Sequence, residues 1–102
     1  MKFPIAWLPV GQQRCVNFDS TLVLVCRTGS GVFAVENKCP HAEFPLFGGP
    51  VTGDIIRCPG HGAQFDLKTG KPISNSRLSP LKIYPVAIEE DCVRLGCRTG
   101  DG

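Results

Sequence analysis

Two short Cys/His doublets constrain this chain more than any other feature. Cys39-Pro40-His41 and Cys58-Pro59-Gly60-His61 each place one thiol and one imidazole on a loop, with sixteen residues, Ala42 to Arg57, between them. The sequence holds only two histidines, and both stand in these doublets. Any fold that uses them together must bring two separate loops to one point.

Two thiolates and two neutral imidazoles suit a two-iron, two-sulfur centre in which two His replace two Cys on one iron. Removing two negative charges eases reduction, and the potential rises to about −150 to +300 mV, against roughly −400 mV for plant-type sites. The added electron belongs on the His-bound iron, whose ligands donate less. Zinc is the rival, since two Cys and two His can hold it tetrahedrally. Zinc fingers, however, usually pair Cys with Cys and His with His, and the single residue between Cys39 and His41 is tight for chelating one small ion. Pro40 and Pro59 stiffen each loop just after its Cys. Gly48, Gly49, Gly60 and Gly62 permit tight turns that aim backbone N–H groups at sulfur, although ordinary turn chemistry explains Gly48-Gly49 equally well.

Around the doublets the pattern is short strands and turns. Arg14 to Phe18, Thr21 to Arg27 and Val32 to Glu36 read as strands, the last leading into the first doublet. Asp54 to Arg57 leads into the second. Ala63 to Leu67 and Lys71 to Ile73 flank a tight turn at Lys68-Thr69-Gly70. Leu81 to Ile88 and Cys92 to Leu95 flank the hairpin signal Glu89-Glu90-Asp91. No window carries a long helical stripe, and at most one helical turn fits near Glu43 to Phe47. The chain therefore reads as one all-β domain over residues 1–102. A framework of 1–36 and 81–97 carries a cluster-binding insert, 37–80, and residues 98–102 form a frayed tail. The insert looks too poor in apolar residues to fold alone, so bound metal should help stabilise it.

Charge and composition exclude several classes. The net charge is only +2, with Lys and Arg scattered, so there is no stripe for nucleic acid. The first residues are broken by Pro4, Pro9 and Gly11, which makes a poor signal peptide and no transmembrane helix. A cytoplasmic protein follows, with Cys15, Cys26, Cys92 and Cys97 as reduced structural thiols. A Cys92–Cys97 bridge is conceivable. Gly29-Ser30-Gly31 is no dinucleotide fingerprint. Asp54 and Asp66 read as loop braces and Glu43 as surface, rather than as acid/base residues. No histidine remains for a non-haem iron oxygenase site.

The segments Asn37 to His41, Gly53 to Asp66 and Thr69-Gly70 resemble the Rieske-type ferredoxins, and the likeness runs from about Ile5 to Gly96. The resemblance implies the Rieske fold: stacked antiparallel sheets with one [2Fe-2S] cluster held at the tip of two loops. It implies that Cys39 and Cys58 bind one iron and His41 and His61 the other. It further implies a monomeric electron carrier, not itself an enzyme. Its donor would be a flavin-containing NAD(P)H reductase and its acceptor a terminal ring-hydroxylating oxygenase. The small subunit of an assimilatory nitrite reductase is the alternative.

Respiratory members brace the two loops with a disulfide, and the matching positions here are Phe44 and Gly60. Phe44 then either fills the space left by Gly60 and shields the cluster, or is an exposed loop aromatic. Those members also place Ser and Tyr hydroxyls near the sulfurs where Ala63 and Phe65 stand here. Fewer donors place the expected potential in the lower part of the range, roughly −150 to 0 mV. Phe44, Pro45, Leu46 and Phe47 read as a small docking rim or, alternatively, as a mini-core packing the loop onto the framework.

Overall fold

The computed structural model describes residues 1–39, 45–60, 62–73 and 79–96. Ten strands form in these segments: β1 (Lys2–Pro4), β2 (Gln13–Phe18), β3 (Thr21–Thr28), β4 (Gly31–Glu36), β5 (Val51–Thr52), β6 (Ile55–Arg57), β7 (Gln64–Asp66), β8 (Ile83–Tyr84), β9 (Val86–Glu89) and β10 (Cys92–Leu95). They make three antiparallel sheets, ordered β1-β10-β9, β2-β3-β4-β8 and β5-β6-β7.

The four-stranded sheet lies between the other two, and its sequence explains why. Successive strand residues point to opposite faces. Leu24 and Cys26 of β3 and Val35 of β4 enter one core, shared with Ile56, Phe65 and Leu67. Val23, Val25 and Ala34 enter a second core, shared with Phe3, Val93 and Leu95. A strand covered on both faces reads as a continuous apolar run, as Val23 to Cys26 does.

Asp19 and Ser20 take φ of 55° and 64° and close β2 onto β3 as a two-residue turn, with Phe18 opposite Thr21. Glu90 and Asp91, at φ of 51° and 65°, do the same between β9 and β10.

The structure corrects several expectations. The single strand anticipated over Leu81 to Ile88 is two, in different sheets. Pro85 has no N–H to continue a ladder. β8 therefore ends on β4, and β9 starts afresh on β10. Lys71 to Ile73 is not a strand, and only Pro72 bridges to Phe65. The N-terminal strand β1, the 3-10 turn at Ile5–Trp7 and the short strand β5 were not anticipated. Of the possible helical turn near Glu43 to Phe47, the described part is a β-turn, closed by Gly49 N–H donating to the Leu46 carbonyl at 2.9 Å. The insert also supplies more buried apolar side chains than its composition suggested. Leu46, Ile56 and Phe65 are fully buried and build half of a core. The polar stretch from Ser74 to Leu78 and the tail lie outside the described residues.

Candidate functional site

Each doublet is launched from the end of a strand. Cys39 follows β4 after Asn37 and Lys38, and Cys58 follows β6 directly. Both cysteines are buried, at 0% and 1% exposure, in the same core. The second loop closes on itself: Cys58 N–H donates to the Ala63 carbonyl at 2.7 Å, and Gly62 N–H to the Cys58 carbonyl at 2.9 Å. Gly62 completes that turn at φ +78°, a conformation that favours glycine. The structure thus buries the two sulfur-bearing residues in one core. His41 and His61, with Pro40, Glu43 and Phe44, lie outside the described residues.

The first loop returns through Leu46 to Gly49, and side chains from the sheet hold this limb. Asn37 Oδ1 accepts the amides of Leu46 and Phe47, at 2.9 and 2.8 Å. Gln13 Oε1 accepts Gly48 N–H at 2.8 Å, and Gln13 Nε2 donates to the Gly49 carbonyl at 2.6 Å. Gly49 is buried against the second loop. A Cβ there would lie 2.2 Å from the Arg57 carbonyl oxygen and 3.2 Å from Pro59 Cδ. These bonds fit the ordinary turn chemistry that the sequence allowed for Gly48-Gly49. The N–H groups of Gly48, Gly49 and Gly62 go to Gln13, Leu46 and Cys58. Sequence reasoning missed Gln13, which meets Gly48 across 35 residues and carries no local signal. Asn37 was seen only as the start of the motif.

Asp54 and Asp66 act as the expected braces. Asp54 Oδ1 accepts the Thr28 hydroxyl at 2.7 Å, and its Oδ2 pairs with Lys68 Nζ at 3.2 Å. Asp66 Oδ1 accepts Lys68 N–H at 2.8 Å. The Thr28 hydrogen bond, with help from Lys68, holds the Asp54 carboxyl below its ordinary 3.8. On acidification the unfolded chain therefore takes up the proton first. Asp54 stabilises the fold above the ordinary carboxylate range, and this contribution disappears as pH falls through the lowered folded-state value. Thermal melts of the parent and Asp54→Asn should therefore differ at neutral pH and converge in acid. A gap that persists undiminished in acid would refute this role.

The loop apolar residues divide between the two readings. Leu46 is fully buried, so it belongs to the mini-core and not to a docking rim. Phe47 is 53% exposed, and Pro45 and Gly60 are exposed as well. Ala63 and Phe65 are buried at 7% and 0%, presenting only hydrocarbon. The Cys26 thiol is pushed up to about 12, first by burial and then by neighbouring Cys15, so it stays protonated at neutral pH. Burial raises Cys15 too. Cys97 lies outside the described residues, and so does any bridge from it to Cys92. A cavity of about 410 Å³ beside Phe18, Asp19 and residues 82–85 is lined by no residue of either doublet. Among the described residues, no helix is long and apolar enough to cross a membrane.

The Rieske [2Fe-2S] domain family matches residues 4–85. The chain belongs to the Rieske [2Fe-2S] family. This Rieske protein is 35% identical over 83 residues to the biphenyl dioxygenase ferredoxin subunit of Pseudomonas sp. (strain KKS102), covering 80% of this chain and 76% of that one. It superposes on the ferredoxin of carbazole 1,9a-dioxygenase from Nocardioides aromaticivorans IC177 with a TM-score of 0.85, at 29% identity over 92% of both chains. A ferredoxin solved in complex with the oxygenase of carbazole 1,9a-dioxygenase gives a TM-score of 0.85 at 32% identity, covering 94% of this chain and 100% of that one. The fold is the Rieske fold, and its cofactor is one [2Fe-2S] cluster. The donor chemistry on this chain fits that group: two thiols are buried in one core, and the only two imidazoles of the sequence lie within three residues of them.

Proposed function

We propose that this Rieske protein is a single-domain, cytoplasmic, monomeric one-electron carrier. It takes electrons from a flavin-containing NAD(P)H reductase and delivers them to a terminal ring-hydroxylating, non-haem iron oxygenase. Cys39 and Cys58 hold one iron of the cluster, and His41 and His61 hold the other. The cluster supplies a centre that accepts and releases one electron. The chain excludes water from the sulfur side and fixes the two loops against each other. Both interfaces are small, because a shuttle must release each partner in turn.

The observation that supports this reading is the burial of Cys39 and Cys58 in one core, each at the start of a loop that contains one of the two histidines. With only hydrocarbon at Ala63 and Phe65, the expected midpoint stays at roughly −150 to 0 mV. The test is substrate turnover by a candidate oxygenase and reductase, with and without the anaerobically purified protein. The expected result is turnover that requires the protein, with two irons and two acid-labile sulfides bound per chain. A protein without iron and sulfide overturns the ligand assignment. An iron-loaded protein that co-purifies with a large sirohaem flavoprotein, and supports no oxygenase, overturns the shuttle.

A further inference from the structure

We infer that Gln13 and Asn37 are positioning residues for the electron-transfer centre, acting through the return limb of the first loop. This rests on the cluster-binding reading above. Asn37 stands two residues before Cys39, and its own N–H donates to the Leu22 carbonyl of β3 at 2.9 Å. Its side chain receives the amides of Leu46 and Phe47. Two N–H donors meeting at one atom require oxygen there, so Nδ2 is the atom facing Cys15 Sγ, at 3.2 Å. The mouth of the loop thus closes on a residue anchored in the central sheet.

Gln13 grips the next two residues of the same limb. Its amide offers an acceptor to Gly48 N–H and a donor to the Gly49 carbonyl, and both are used. Gly49 in turn abuts the Arg57 carbonyl and Pro59 on the second loop. A continuous line of contacts therefore runs from edge strand β2, through Gly49, to the residues flanking Cys58. Removing either side chain frees the limb and leaves the N–H of fully buried Leu46, or of Gly48, to find another partner. Electron transfer needs ligands that hardly move between oxidation states, and these two amides hold the spacing of the loops that carry them.

The test compares Gln13→Leu, Gln13→Glu, Asn37→Leu and Asn37→Asp with the parent. It uses bleaching of the holoprotein by chelator, the EPR spectrum of the reduced state, the midpoint potential and amide exchange at residues 46–48. Both Leu variants should bleach about tenfold faster, exchange those amides faster and show a broadened EPR signal. Asn37→Asp keeps the double acceptor, so its bleaching stays near the parent rate while the added negative charge lowers the midpoint. Gln13→Glu keeps the bond to Gly48 but loses the donor to Gly49, and falls between.

Leu variants with parental bleaching and spectrum would overturn the inference. So would variants that lose only thermal stability while the spectrum stays parental. If a Leu variant fails to fold, a parental Gln13→Glu together with an unmoved Asn37→Asp midpoint overturns it as well. A parent protein lacking iron defeats the cluster reading instead, and amide exchange at 46–48 still tests the two side chains.

Discussion

Gly49→Ala is expected to separate the two loops and strip the protein of its iron. The added methyl would sit 2.2 Å from the Arg57 carbonyl oxygen and 3.0 Å from the Leu46 carbonyl oxygen. Both are backbone atoms, so no side-chain rotation relieves the clash. Arg57 cannot retreat cheaply either. It is the last residue of β6, its N–H donates to the Pro50 carbonyl at 3.0 Å, and Cys58 follows it. Overpacking of this kind costs up to about 3 kcal/mol. The displaced element is the limb that closes the Cys39 loop, so iron and sulfide per chain should fall together with the melting temperature. Gly48→Ala is the control. Its Cβ would meet nothing within 4 Å, and it carries only the strain of φ +88°, about 1–2 kcal/mol. A Gly49→Ala protein with parental iron content, or one no worse than Gly48→Ala, would show that the loops are not wedged there.

Phe65→Ala is expected to be the most damaging core truncation on the loop side. Phe65 is wholly buried, stands opposite Ile56 in the β6–β7 ladder and bridges to Pro72. Removing a buried Phe side chain costs about 3–5 kcal/mol, since the lost transfer energy adds to the cavity left behind. For a domain of this size that is a fall in melting temperature of at least about 12 °C. Phe47→Ala makes the contrast. Phe47 is of the same type but 53% exposed, so its loss should stay within about 0.5 kcal/mol. Equal melting shifts for the two variants would contradict the division between a buried mini-core and an exposed rim.

The chemistry of this chain is legible in its sequence because it depends on residue types that have few other uses. Two histidines placed two and three residues after a Cys leave little else to consider. The central sheet is legible too, since a double-faced strand must be apolar throughout and the turn at Asp19-Ser20 announces itself. What stayed hidden depends on distant partners. Nothing local says that Lys2–Pro4 will pair with Cys92–Leu95. The break at Pro85 was visible as a proline, yet its meaning, a change of sheet, comes from which neighbour each half finds. Gln13 reads as an ordinary polar residue on a strand until the glycines it clasps arrive from much later in the chain.

Because β3 is walled on both sides, consecutive residues along it live in different rooms. Val25 faces a compartment furnished by the two ends of the polypeptide, whereas Cys26 faces one furnished by the looped segment. Sequence drift in the first compartment need not disturb the second. Descendants of such a chain can remodel the rear half for solubility or new neighbours while the redox half keeps its tuning.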